Sequence, residues 1–307
     1  MSDPDARPAA APAYVDPLDG ASLALADDGY VNQVAGRTYP LVDGVPDFTA
    51  GDLPLVPSTA RVHRDYGTDF DYRRHYAFDA EYFDYARELP SAAWADEVRR
   101  LQETILAQVP PTAATVLDVG CGKAWLARAL LARGGHTVYS SDVSVTNPAR
   151  AARDLPPARH HALAADAYFL PFADGSLDCV VAAEVIEHCP DPVRFVASLY
   201  RVLRPGGRLL ITTPYAQTLS YNVCVHCRRP TPLDAHLHHF HEGNVGRLVP
   251  PGARLHTDRF GNGHLVKART HVLTRHLPHA IWRRVDAAAS RAFGRPTRYL
   301  LRFDKPA

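Results

Sequence analysis

No run of 18 or more apolar residues occurs in this 307-residue chain, so no membrane-spanning helix is expected. The opening residues, MSDPDARPAAAPAY, lack the apolar block of a secretion signal and are acidic and rich in Pro and Ala. A disordered leader is expected over residues 1–13. Thiols are scarce: Cys121, Cys179, Cys189, Cys224 and Cys227. Without a secretion signal they point to a reducing cytoplasm, where thiols stay free or bind metal. A Gly-Lys-Ser/Thr tripeptide is also missing, which excludes a P-loop nucleotide site. With 46% hydrophobic and 22% charged residues, the remainder suits one large folded domain with appendages.

The near-neutral net charge hides an asymmetry. Residues 1–200 carry 16 Lys+Arg against 28 Asp+Glu, and residues 201–307 carry 18 against 5. Two readings follow: a basic C-terminal part that meets an anionic partner, or halves that attract each other within the chain or across a homodimer.

Residues 14–50 alternate short apolar runs with turn pairs (Asp19-Gly20, Asp28-Gly29, Asp43-Gly44), the pattern of a small β-rich module. Residues 51–109 form an aromatic-rich segment followed by a helix on which Val98, Leu101, Ile105 and Val109 share a face. Its place ahead of a ligand-binding fold suggests a lid. From residue 110 onward, strand, loop and helix alternate through TVLDV, WLARALLAR, HTVYSSDV, HHALAADA, DCVVAAEV, DPVRFVASLYRVLR and RLLITTP. That rhythm predicts an α/β fold around a parallel sheet. A helix in HAIWRRVDAAASRAF and a last strand in TRYLLRFDK complete it.

The loop after TVLDV carries the chemistry. Asp118-Val-Gly120-Cys121-Gly122 lets the backbone turn sharply and approach a ligand. A dinucleotide fold needs a small residue three places further on, where this chain has Trp125. The second strand ends at Asp142-Val143, an acid suited to ribose hydroxyls, and the third at Asp166-Ala167, suited to an adenine amino group.

Together VLDVGCGKAW, SSDVS, ADAYFLPFADGSLDCVVAAEVIEHCPDP and LYRVLRPGGRLLITTPY resemble, in order and spacing, the class I S-adenosylmethionine-dependent methyltransferases. The likeness covers about residues 110–215 and is nearest to the small-molecule, ubiquinone-biosynthesis-like branch. It implies a Rossmann-like, seven-stranded, mostly parallel sheet with flanking helices. It also implies S-adenosyl-L-methionine as cofactor, with Asp118, Gly120, Cys121 and Gly122 at the methionine end, Asp142 and Val143 at the ribose, and Asp166 and Ala167 at the adenine. Glu184 begins the segment beneath the sulfonium. The family usually has glycine where this chain has Ala124, which adds a methyl near the loop.

The tail GRTYPLVDGVP of the first module resembles a zinc-ribbon-like module that precedes or activates methyltransferase domains. Its four cysteine places hold Asp16, Asp19, Asn32 and Ala35, which cannot make a tetrahedral zinc site. The module is expected to be metal-free and to depend on its apolar face and on docking.

An insert at residues 221–245 packs Cys224-x-x-Cys227 and His226, His236, His238, His239 and His241 together. Three readings stay open. Cys224, Cys227, His236 and a further histidine such as His238 hold structural zinc. Alternatively the histidines line an acceptor site that takes an anionic or phenolic molecule, with one as base. In the third, the loop is metal-free. His188, His236 and His238 are thus the candidate catalytic side chains. The amino-methyltransferase signature Asn/Asp-Pro-Pro-Tyr is replaced by Ala183-Glu184-Val185-Ile186, which favours a small-molecule acceptor methylated at oxygen. The competing readings are an RNA methyltransferase, which the absence of an overall basic charge disfavours, and a non-catalytic partner that keeps only the fold.

Overall fold

A computed structural model of the chain describes residues 12–67, 70–82 and 91–307. The expected leader lies outside these residues up to position 11, as do positions 68–69 and 83–90 of the aromatic segment.

The N-terminal module is a four-stranded antiparallel sheet, β1 (Ala24–Ala26), β2 (Gly29–Asn32), β3 (Arg37–Val42) and β4 (Val45–Pro46). Gly29 is needed at its turn, because a Cβ there would lie 2.1 Å from the Tyr39 carbonyl oxygen. Tyr14, Tyr30, Tyr39 and Phe48 are buried, with Tyr14 edge-on to Tyr30, Phe48 and Phe172 at 5.0, 4.9 and 5.7 Å. Such edge-to-face contacts add about 0.5–1.5 kcal/mol each beyond area burial. Among the described residues three helices follow: α1 (Arg61–Tyr66), α2 (Tyr72–Tyr82) and α3 (Ala92–Leu106), the last capped by the Ser91 hydroxyl, which accepts from Trp94 N–H.

The main domain alternates β5 (Thr115–Val119), α4 (Trp125–Arg133), β6 (Thr137–Asp142), α5 (Thr146–Asp154), β7 (His160–Ala164), β8 (Leu177–Ala183), α6 (Pro192–Arg201) and β9 (Leu203–Pro214). A short hairpin, β10 (Tyr221–Val223) and β11 (Pro230–Pro232), is followed by β12 (Arg254–Asn262), α7 (Gly263–Lys267), α8 (His271–Thr274), α9 (His279–Phe293) and β13 (Pro296–Asp304). The seven-stranded sheet has the order β7-β6-β5-β8-β9-β13-β12. β5 to β9 pair in parallel, and β13 runs antiparallel to both its neighbours. The central strands are apolar on both faces, as a sheet covered by helices requires.

The two parts share one core. Phe48 N–H donates to the Ala164 carbonyl at 2.8 Å, so the end of β4 caps the β7 edge of the large sheet. The acidic and basic portions of the chain also meet inside the monomer, through Arg201–Asp174, Arg204–Asp178 and Arg298–Glu184. β12 and α5 were not foreseen. β12 is an edge strand with exposed charged positions and a weak apolar rhythm, and α5 contains Pro148 in its first turn.

Candidate functional site

The tips of β5, β6, β7 and β8 open into one cleft of about 1140 Å³. Gly120, Cys121 and Gly122 from the first loop, Asp142 and Val143 from the second, Ala167 from the third and Glu184 from the fourth all line it. α2 and α3 also line it, with Tyr76 on α2 and Leu101 on α3.

The glycine loop is shaped by two different needs. A Cβ at Gly120 would sit 2.6 Å from Val185 Cγ2, so that position must stay bare for packing. At Gly122, with φ +46°, an added Cβ meets nothing within 4 Å. The loop therefore leaves room on its cleft side, where a ligand backbone group fits. Ala124 occupies the left-handed region at φ 53° and ψ 37°, just before α4. Its methyl is fully buried among Leu126, Ala127 and Leu130 and is not part of the cleft wall. The extra methyl thus costs backbone strain of roughly 1 kcal/mol but does not narrow the ligand space.

Two carboxylates sit beneath the loop. Asp142 accepts from Asn147 Nδ2 at 3.0 Å and from Ser144 N–H at 3.2 Å, and burial pushes its pKa up. Asp118 lies behind the wall; burial, helped by the neighbouring Asp142 charge, pushes it up to about 7. Asp118 Oδ2 is buried and makes no hydrogen bond among the described residues. A bare buried oxygen costs on the order of 1–3 kcal/mol, and a bound cation or ammonium group nearby offsets that cost. These features fit the amino-acid end of a charged adenosyl donor.

Asp166 is arranged differently from the expectation. It is 1% exposed, its Oδ1 takes the Tyr168 N–H and its Oδ2 takes the Tyr72 hydroxyl at 2.5 Å. Tyr72 belongs to α2, so the acid expected at the adenine is tied to the lid helix, while its neighbour Ala167 reaches the cleft. Tyr72 was missed because it stands in an irregular aromatic stretch with no period to mark it.

Glu184 has φ 56° and is held by Arg298 Nε at 3.2 Å. Burial and then the adjacent Glu187 push it up to about 7. His188 lines the cleft on the acceptor side, and burial lowers its pKa. His236 stands edge-on to it with ring centroids 4.7 Å apart. His238 is a correction: it is buried against Phe240, its Nε2 faces the Pro190 carbonyl at 3.3 Å, and it does not line the cleft. Burial lowers both rings to about 4.

One of the three readings of the insert, zinc on Cys224, Cys227, His236 and His238, has no matching cluster of ligand atoms among the described residues. The thiols sit on the β10–β11 turn, where Cys224 N–H bonds Arg229 O, with Cys227 exposed at the cleft rim. The turn ends before the histidines, whose backbone returns to the domain: Leu237 N–H donates to Glu187 O at 2.7 Å. Among the described residues, the side chains that do converge at metal-ligand spacing are Glu187, His188 and His236.

Residues 117–211 match the family model described as a methyltransferase domain. The chain is 36% identical to the methyltransferase GfsG of Streptomyces halstedii over 178 residues, which is 47% of this chain and 60% of that protein. It is 40% identical to the chloroplastic tocopherol O-methyltransferase of Arabidopsis thaliana over 110 residues, 34% of this chain and 31% of that one. These matches span less than two thirds of either relative. Among solved structures, an S-adenosylmethionine-dependent methyltransferase from Mesorhizobium loti superposes with a TM-score of 0.50 at 18% identity, covering 68% of this chain and all of that one. The cyclase SpnF gives 0.52 at 19%, covering 83% and 98%. The fold is thus the Rossmann-like one expected for the domain. No helix among the described residues is long and apolar enough to cross a membrane.

Proposed function

We propose that this protein is an S-adenosylmethionine-dependent methyltransferase that moves a methyl group to oxygen on a small-molecule acceptor. The observation that carries the reading is the single cleft shared by the glycine loop, Asp142, Ala167 and Glu184, with His188 beyond them. The first four form the donor half. Asp142 is the ribose acceptor, and the Gly122 backbone lies against the methionine chain.

The other half is lined by Phe70, Tyr76, Val98, Leu101 and Leu237, an aromatic and aliphatic surface. It suits a ring or alkyl body better than a strongly anionic one. Two side chains that would otherwise attract an anion are occupied: Arg99 binds Asp96 and Glu103, and Arg229 donates to the Tyr66 and Gly67 carbonyls. His188 stands beside this half in its neutral form at pH 7, the state that accepts a proton or binds an electrophile. Alignment of acceptor and sulfonium supplies most of the acceleration, since the donor is already activated. The name tocopherol O-methyltransferase among the relatives agrees with an aromatic hydroxyl acceptor. We read the N-terminal sheet as a ribbon-like module that has exchanged its metal for an internal ion pair.

Calorimetry with S-adenosylhomocysteine tests the reading. One binding site per chain is expected. No heat of binding at any concentration up to millimolar removes it, and leaves a fold kept for another purpose, as the likeness to a cyclase of the same fold illustrates.

A further inference from the structure

We propose that Tyr72 is a positioning residue for methyl transfer: through Asp166 it holds the acceptor wall of the cleft against the strand tip that carries the donor's adenine, a role that rests on the methyltransferase reading. Tyr72 and Tyr76 stand one turn apart, so both side chains lie on one face of α2. In the first turn that face meets Asp166, whose Oδ2 accepts from the Tyr72 hydroxyl at 2.5 Å. One turn further it meets the acceptor half, where the Tyr76 ring stands edge-on to His188 at 5.8 Å. A shift of the helix at one contact therefore moves the other.

Apolar packing does little to fix this helix. Tyr72 and Ala80 are its buried residues, while Phe78 and Tyr82 are 66% and 72% exposed. A helix is ordinarily seated by an apolar stripe three to four residues wide per two turns. Here polar bonds in the first turn take that part. Arg73 donates to the Leu53 carbonyl, and its Nε stands 3.9 Å from Asp166 Oδ2. A hydroxyl bonded to a carboxylate at the length seen for Tyr72 is of the charge-assisted kind, about twice as strong as a bond between neutral groups.

The acid on the other side is firmly held. Asp166 Oδ1 accepts from Tyr168 N–H at 3.0 Å, and its carbonyl accepts from Phe169 N–H at 2.8 Å. The Tyr168 ring packs edge-on to Tyr72 at 5.7 Å. Its hydroxyl donates to the Asp191 carbonyl at 3.1 Å and accepts the Asp191 N–H at 2.9 Å. Asp166 does not line the cleft, whereas Ala165 and Ala167 on either side of it do. An adenine on this tip rests on the two alanines, and the acid between them passes the constraint to α2. Asp166 thus holds the helix and does not read the adenine amino group. Such a linkage is reciprocal: a donor that steadies the tip slows the opening of α2, and a firm α2 tightens the donor.

Hydrogen–deuterium exchange of the α2 amides tests this, with S-adenosylhomocysteine as the probe and calorimetry for its affinity. In the wild type the probe is expected to slow exchange across α2. In Tyr72→Phe, α2 is expected to exchange roughly tenfold faster without the probe. The slowing by the probe should vanish there, and the probe should bind about threefold more weakly. A tyrosine that merely supports the fold gives another pattern: exchange rises throughout the domain, and the probe still slows α2. That pattern overturns the proposal, as does unchanged α2 exchange in the variant. If Tyr72→Phe does not fold because Asp166 Oδ2 is left bare, Tyr72→Phe/Asp166→Asn removes hydroxyl and charge together. The same loss of probe-dependent slowing is expected in that double variant, and its persistence also overturns the role. No binding of the probe to the wild type removes the methyltransferase reading as a whole, whereas binding without any effect of Tyr72→Phe on α2 removes this role alone.

Discussion

Asp16 in the N-terminal module and Asp118 beneath the glycine loop are buried to the same degree, at 1% and 2% exposure, yet they titrate in opposite directions. For Asp16, burial acts upward but is overcome by hydrogen bonds from Arg37, Asn32 and the Leu18 N–H, which bring the carboxyl down to about 2. Arg37 Nε donates at 2.8 Å and Asn32 Nδ2 at 2.7 Å, while Arg37 also pairs with Asp19. Among the described residues Asp118 has no such partner, and it rises to about 7. Asp118 lies deeper in the molecule than Asp16, so the two acids differ both in depth and in the partners that meet them. A carboxylate whose cation is built into the chain holds a fold together. One whose oxygen is bare among the described residues is pushed up by burial and by the neighbouring Asp142 instead.

The comparison breaks most visibly at Arg37. Arg37→Ala leaves Asp16 without its cation, and a clear drop in the urea unfolding midpoint is expected at pH 7. Since Asp16 is lowered in the folded state, its stabilisation is present above the unfolded value of roughly 3.9 and disappears as pH falls toward about 2. The variant is expected to lose that acid dependence along with the stability. Equal unfolding midpoints for wild type and variant at pH 7 would show that the ion pair is ornamental.

Asp142 sharpens the ligand side. Asp142→Ala removes the proposed ribose acceptor, and S-adenosylhomocysteine affinity should fall by on the order of 1–3 kcal/mol in calorimetry. Unfolding of the ligand-free chain should move far less than for Arg37→Ala. A variant that binds as tightly as wild type would place the ribose elsewhere.

At Asp118 the sign reverses. Its folded value is raised, so stability is fully present below about pH 4 and is lost as pH climbs to about 7. Asp118→Asn keeps the shape without the charge. It should make the ligand-free chain about 1–2 kcal/mol more stable at pH 8 and flatten the slope between pH 4 and 7. A steeper slope, or a loss of stability at pH 8, would mean that the oxygen has a partner after all.

How much of this was visible in the residues depends on range. α4 and α9 run over the residues that their helical spacing predicts, Trp125–Arg133 and His279–Phe293. Asp191 caps α6 by accepting from Val193 N–H and Arg194 N–H. These are local choices, written in periodicity and in caps. The strand tips of the candidate site were readable for the same reason, because each motif closes its own strand. Partnerships across the chain were not. Nothing in the spacing of Asp16 and Arg37 shows that a guanidinium ties down the first acid, or that Tyr72 ties down Asp166. The Cys/His insert misled for a physical reason. Spacing suggested a tetrad, but the β10–β11 turn carries the thiols outward, while the bonds to Glu187 O draw His236 inward toward His188. A motif read along the chain assumes that its members travel together, and here a three-residue strand pair separates them.

The smallest expected effect concerns the one departure inside the glycine loop. Ala124→Gly relieves a left-handed alanine, which is worth roughly 1 kcal/mol, but it removes a fully buried methyl, worth about 0.8 kcal/mol. The two terms nearly cancel, so stability should stay within about 0.5 kcal/mol of wild type. Ligand affinity carries the sharper expectation. The methyl packs with Leu126 and Leu130 on the core side of the loop, so S-adenosylhomocysteine should bind Ala124→Gly within about twofold of wild type. A several-fold gain in affinity would mean that the methyl reaches the ligand. The loop would then differ from the family pattern on its working face, not only on the face that packs.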